Sequence, residues 1–133
     1  MRLIFCLDDK GGMMFFGKRQ SQDKSLRDWI INYAHGAKLW MSPYSAKQFD
    51  GNPDISVDDG YMGKAEENDV CFIEDGDYSA DKAGEIVLCK WNRHYPSDKG
   101  FDIDLKSLGF KKVGSEDIKG SSHDKITIER YRR

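Results

Sequence analysis

No apolar run in this sequence approaches the about 20 residues that a bilayer-crossing helix needs. The opening stretch MRLIFCLDDK holds only a short apolar run before two acids, too little for a secretory signal. Both absences lead to the expectation of a cytoplasmic chain with no membrane partner. A surplus of either charge is also missing: 21 basic and 23 acidic side chains leave a formal net charge of −2. Proteins that grip long nucleic acid carry a clear basic excess, so no such partner is expected, although a local basic pocket is compatible with the balance. Cysteine is scarce, and Cys6, Cys71 and Cys89 have no metal-ligand spacing. Each lies inside an apolar run (LIFCL, DVCFI, IVLCK), where a buried free thiol belongs. Histidine is as sparse: His35, His94 and His123 stand apart, and the acid pairs Asp8-Asp9, Asp58-Asp59 and Glu66-Glu67 read as solvated turns, so no metal is expected. Repeats and low-complexity linkers are lacking. The length fits one domain over residues 1–133, large enough to fold without disulfides.

What is present is a succession of short, well-marked elements. Residues 3–7 form a bulky apolar run ending at Asp8-Asp9 and predict a buried central strand. Gly11, Gly12 and Gly17 bound a mobile loop carrying Met13, Met14, Phe15 and Phe16, which either tuck under it or line a cleft. Ser21 or Asp23 can cap a helix whose Leu26, Trp29, Ile30 and Tyr33 share one stripe, closed by Gly36. Residues 38–41 predict a second strand, and Ser42-Pro43 opens a second helix through Phe49. Residues 55–57 and one helical turn after Gly60 fill the least readable stretch. Residues 70–73 and 85–91 predict buried strands, with a turn or short helix at 78–83 between them. Residues 101–105, 110–113 and 126–131 complete the pattern, the last alternating as a half-buried antiparallel strand does. Strand–helix units in front imply parallel crossovers, and the closing strands imply an antiparallel edge. The expectation is an α+β fold: a central mixed sheet, two or three helices, and antiparallel C-terminal strands.

In order along the chain, LIFCLDDKGGM resembles the first strand and flexible active-site loop of the dihydrofolate reductases. LWMSPYSAKQF resembles their second strand and following helix. GEIVLCKWNRHYPSDKGFDIDL, FKKVGSEDIKG and HDKITIERYRR resemble their three closing strands. The resemblance implies a shortened dihydrofolate reductase-like fold. It also implies a carboxylate early in the first helix, where Asp23 is nearest, and a glycine pair after a central strand to seat a cofactor diphosphate. There VCFI runs instead into Glu74-Asp75, which repel phosphate, so no cofactor is assigned. The strings RQSQD, WNRHYPSD and SHDKIT also resemble those of a group of short bacterial proteins labelled ribonuclease Z. True ribonuclease Z is far larger and holds two metals with an H-x-H-x-D-H run that this sequence lacks.

Four constellations carry candidate chemistry. Arg19, Gln20, Ser21 and Asp23 lie at a helix start, where free N–H groups favour an anion and Arg19 offers a two-pronged grip; a solvated loop capped by Ser21 is the alternative. Trp91, Asn92, Arg93 and Tyr95 end a buried strand, and an aromatic beside Asn and Arg suits stacking on a base and reading its edge. Alternation puts Trp91 and Arg93 opposite Asn92 and His94, so one pocket uses them all only if the strand bends. Tyr44 and Lys47 start a helix at the carboxyl end of a strand, where ligands of such sheets collect. Ser122 and His123 are neighbours before the last strand, a poor placement for a nucleophile and its base. Asp23 and His123 are the candidate catalytic groups.

Together these residues predict a non-catalytic binder of a nucleotide or nucleotide-like anionic small molecule, with Arg19 and Arg93 converging beside aromatic rings. One biological form would be a phage or prophage protein that sequesters an immune nucleotide signal. The competing readings are a small divergent reductase or phosphoester hydrolase acting through Asp23 or His123, and a protein–protein or homo-oligomer module built on residues 13–16.

Overall fold

In the computed structural model, which describes residues 1–50 and 52–133, the chain opens with β1 (Arg2–Leu7). It then forms β2 (Gly12–Phe15), β3 (Lys18–Arg19) and α1 (Lys24–Tyr33). β4 (Leu39–Met41), α2 (Pro43–Ala46), a 3-10 turn (Lys47–Phe49), β5 (Ile55–Val57) and α3 (Tyr61–Lys64) follow. β6 (Val70–Ile73), β7 (Glu85–Lys90), β8 (Lys99–Gly100), β9 (Lys111–Ile118) and β10 (Ile126–Arg132) close the chain. The main sheet has the order β5-β4-β6-β1-β7-β10-β9. Its first five strands are parallel, β10 runs antiparallel to β7, and β9 runs antiparallel to β10. This is the α+β architecture expected, with a mixed sheet and an antiparallel C-terminal edge.

β1 is central because both of its faces are covered, which is why it reads as an unbroken apolar run. Ile4 and Cys6 point to the core under Leu26 and Ile30 of α1, together with Phe72, Val87 and Cys89. Leu3, Phe5 and Leu7 point to the other face, with Cys71, Ile73, Ile86 and Leu88. All three cysteines are buried and unlinked. Phe5 is fully buried and meets Tyr78 and Phe101 edge-on, at ring-centre distances of 5.0 and 4.8 Å. No helix among the described residues is long and apolar enough to cross a membrane.

Local signals explain where the helices begin. Asp23 caps α1 by accepting from the N–H groups of Ser25 (2.9 Å) and Leu26 (3.3 Å). Gly36, at φ +86°, turns the chain away beyond its end. Ser42 caps α2, with Pro43 in its first turn.

Two expectations are corrected. Residues 12–15 form a strand paired to β3 and β8, not a mobile loop; Met13 and Met14 turn inward and only Phe15 and Phe16 stay outside. Residues 101–105 are not a strand. Their alternating Phe101, Ile103 and Leu105 pack against the second core from an irregular segment, which Tyr78 holds through a 2.8 Å bond to Asp102. Of the turn and short helix open for residues 78–83, the chain takes the turn, with Ala80 and Ala83 buried. Truncating Phe5 to Ala is expected to cost about 3–5 kcal/mol. Denaturant titration checks this, and a loss below about 1 kcal/mol would show that the core closes around the gap.

Candidate functional site

The carboxyl ends of β1, β6 and β7 share one edge of the sheet, and three distant chain segments meet there on a buried imidazole. His123 Nδ1 lies 3.0 Å from Asp23 Oδ2. Its Nε2 lies 3.0 Å from the Ser21 hydroxyl and 3.2 Å from that of Tyr95. Trp91 stacks on the ring at 4.6 Å. The Asp23 carboxylate also accepts from the N–H groups of Ser121 (3.0 Å) and Ser122 (2.8 Å), besides those of α1. Burial alone would raise this carboxyl, but the Ser121 N–H, the imidazole and the Ser122 and Leu26 N–H groups outweigh it and hold it well below the usual carboxylate range. An ionised Asp23 favours a proton on the imidazole Nδ1 that faces it, and Nε2 is shared between the two hydroxyls. Gly120 makes the approach possible: a Cβ there would sit 2.5 Å from the His123 carbonyl oxygen and 2.7 Å from Asp23 Oδ2.

Asp23, His123 and Ser21 thus stand in the order of an orienting acid, a base and a hydroxyl nucleophile. Two features separate them from a working relay. Tyr95 shares Nε2, and the imidazole side chain is only 2% exposed. The arrangement locks three segments together and leaves the base no open approach.

Arg19 is placed by β3 and is committed within the protein. Its Nε donates to Glu74 Oε2 at 3.1 Å and its NH2 to Oε1 at 3.2 Å, a two-pronged pair. The guanidinium lies 4.3 Å over the Tyr44 ring and also donates to the Tyr44 carbonyl oxygen. Gln48 donates to the same carboxylate at 2.9 Å. Burial pushes the Glu74 carboxyl up, and Arg19 only partly offsets it. Beside it, Asp75 accepts from the Ser42 hydroxyl at 2.6 Å. These carboxylates occupy the end of β6, where the resemblance implies a cofactor diphosphate on a glycine pair. The residues present do not fit that group.

Next to the imidazole, the ends of β1 and β7 enclose a hollow of about 480 Å³, walled by Asp8, Lys10, Phe15, His94, Tyr95 and Ser97 among others. Asp8 is buried, and its charge is engaged by the N–H groups of Gly12 (2.7 Å), Lys10 (3.0 Å) and Tyr95 (3.0 Å). Burial would raise its carboxyl, but those three donors outweigh it. Lys10, exposed, stands on the wall of the same hollow. Gln20 donates to the Pro96 carbonyl oxygen, while its Oε1 is buried without a partner. A Cβ on Gly12 would meet the Gln20 amide at 2.7 Å, so that side chain lies directly behind the wall.

The structure brings together Ser21, Asp23, Trp91, Tyr95, Ser122 and His123, with Arg19 and Tyr44 forming a second cluster on Glu74. The strand does bend after Lys90: Asn92 takes φ 58° and its amide donates to the Lys125 carbonyl oxygen and the Thr127 hydroxyl. That bend sends Trp91 inward and returns Tyr95 over the imidazole. Arg93 stays exposed and reaches only the Ser122 carbonyl oxygen, at 3.5 Å. Lys47 is exposed at the end of α2. Arg19 and Arg93 do not share a partner: the first is held by Glu74 and Tyr44, the second reaches the Ser122 carbonyl oxygen, and neither stands on the wall of the hollow beside the imidazole. Sequence reasoning took Asp8 for a solvated turn acid, whereas it is buried on three backbone N–H groups; it named Glu74 only as repelling phosphate and passed over Lys10, although an acid directly after a buried apolar strand was a signal for the first two.

Strand order, crossovers and the antiparallel closing pair define a dihydrofolate reductase-like fold. A dihydrofolate reductase from Enterococcus faecalis, solved with NADP(H) and RAB-propyl, superposes with a TM-score of 0.69 over 99% of this chain and 95% of its own, at 14% sequence identity. Identity this low speaks for the fold alone. No protein-family model matches the sequence, and no curated protein does; the ribonuclease Z resemblance therefore finds no support.

The two arginines differ in a way that stability measurements resolve. Arg19→Met strands the buried Glu74 carboxylate and is expected to cost roughly 3 kcal/mol or more. Arg93→Met, at an exposed position, stays within about 0.5 kcal/mol. Equal losses in urea titrations would contradict the assigned pairing.

Proposed function

We propose that the protein binds a nucleotide or nucleotide-like anionic small molecule in the hollow between β1 and β7, without turning it over. The observation that carries this reading is the composition of the wall. Phe15 and Tyr95 offer ring faces, Lys10 offers a cation, and Gln20 holds an unused acceptor just behind. The volume lies in the range of small-molecule sites, and the carboxyl ends of parallel strands are where such sheets place ligands. The acids at the end of β6 turn an anionic group away from that end and toward Lys10. Sequestration of a nucleotide signal, as a phage or prophage protein would perform it, is the form of this function that needs no catalytic group.

Native mass spectrometry of the protein mixed with mono-, di- and cyclic nucleotides and ADP-ribose tests the proposal. The expected result is one retained, chemically unchanged ligand per chain, lost in Lys10→Glu and weakened in Tyr95→Ala. No retained mass at micromolar protein, or retention indifferent to both variants, defeats it.

A hydrolytic reading is favoured by one observation, the Asp23–His123–Ser21 order. It makes a distinct demand, since an activated Ser21 takes up a fluorophosphonate probe irreversibly. With Nε2 shared and enclosed, no adduct at Ser21 is expected by peptide mass analysis. An adduct that disappears in His123→Gln would replace binding by hydrolysis as the function.

A further inference from the structure

At the opposite edge of the sheet, the amino ends of β1 and β7 and the carboxyl end of β10 bring three arginines around one acid. Arg2 and Arg132 lie in register on either side of Glu85. Glu85 is 5% exposed; Arg132 Nε donates to its Oε1 at 2.6 Å, and the Tyr33 hydroxyl donates to its other oxygen. Arg130 NH1 stands 3.8 Å from the same carboxylate. Its guanidinium packs against β9 at Gly114, where a Cβ would be 2.7 Å from Arg130 NH2. Arg2 rests 4.8 Å over the Tyr33 ring. Arg132 and Tyr33 make the close bonds to the buried carboxylate and Arg130 adds a looser ion pair, so one buried acid is set against three guanidiniums, and Arg2 makes no ion pair among the described residues.

Arg2, Arg130 and Arg132 line one hollow of about 720 Å³. Glu67, the only other acid on its wall, is exposed and has no ion-pair partner among the described residues. Guanidinium groups fixed by packing, with donors to spare, match the oxygens of a phosphate group in both charge and geometry. We propose that this hollow is a second ligand site, which takes the phosphate group of a small phosphorylated molecule between Arg2 and Arg130. Glu85 and Tyr33 act as positioning groups: the acid holds Arg132 and draws Arg130 inward, and the ring seats Arg2. The site is separate from the hollow beside His123, at the other edge of the sheet, and does not depend on what binds there.

The test is a titration of the full chain with inorganic phosphate, read at the arginine Nε–Hε resonances, with potassium chloride at matched ionic strength as control. Saturable shifts at Arg2 and Arg130 are expected, unchanged in Lys10→Glu. Arg2→Gln and Arg130→Gln should each weaken binding about tenfold, the loss of one charge-assisted contact. Gly114→Ala, which evicts the Arg130 guanidinium, should do the same without altering any charge. Shifts that never saturate, that chloride reproduces, or that survive all three substitutions overturn the proposal. Should a variant fail to fold, the wild-type resonances alone still decide, because a site elsewhere leaves Arg2 and Arg130 unmoved.

Discussion

The Asp23 carboxylate is shared between two parts of the chain that are 98 to 100 residues apart. One oxygen starts α1 by taking the N–H groups of Ser25 and Leu26. The same group collects two backbone donors, a hydroxyl and an imidazole from the loop that leads into β10. A charge buried this deeply is tolerable only because donors surround it. Each donor it takes from the loop fixes where β10 enters the sheet relative to α1. Ser21, Tyr95 and Trp91 then find a ready-made imidazole against which to order. The carboxyl edge is organised outward from that one group.

A second constraint comes from charge at the end of β6. A scaffold can keep its strand order while the groups at its strand ends change, because packing between sheet and helices does not consult them. Here Glu74 and Asp75 stand where the resemblance implies a diphosphate seat, and Arg19 is consumed in neutralising Glu74. A two-pronged pair flanked by Tyr44 and Gln48 does not open cheaply, since separating it would leave a buried charge without a partner. A reductase-like fold and acids at this strand end are therefore compatible. The first rests on buried apolar periodicity and the second on two side chains.

The central strands, both main helices and their caps were legible because each carries a local signal: a short apolar run, a 3.6-residue stripe, or Ser42-Pro43 at a helix start. Residues 101–105 misled for the same reason, since alternation records which side chains are buried and not whether the backbone pairs. The hairpin at 12–15 was hidden by its glycines, which read as a loop although Gly12 is needed for close approach to Ser97 and Gln20. The strings holding Asp23, Tyr95 and His123 were visible one at a time. Their meeting depends on strand order and on the bend at Asn92, and neither is a property of any local window. Arg19 looked like a free anion ligand because its partner, Glu74, lies 55 residues away.

The two edges of the sheet differ in what they have left to offer a ligand. β1 begins at Arg2 and runs out into Asp8, and antiparallel β10 returns Arg130 and Arg132 to the edge where β1 began. At the carboxyl edge the buried acids Asp8, Asp23 and Glu74 are each satisfied by backbone donors or by Arg19, and the hollow beside the imidazole is walled by rings, a hydroxyl and Lys10. At the amino edge two acids, Glu67 and the buried Glu85, line the hollow with three guanidiniums, and the surplus is positive charge. Ring stacking discriminates by shape and is weak in orientation alone, whereas fixed guanidiniums discriminate by oxyanion geometry and fade with salt. Ionic strength should therefore separate the two edges: binding beside His123 keeps its aromatic share as salt rises, and binding beside Glu85 has no comparable reserve.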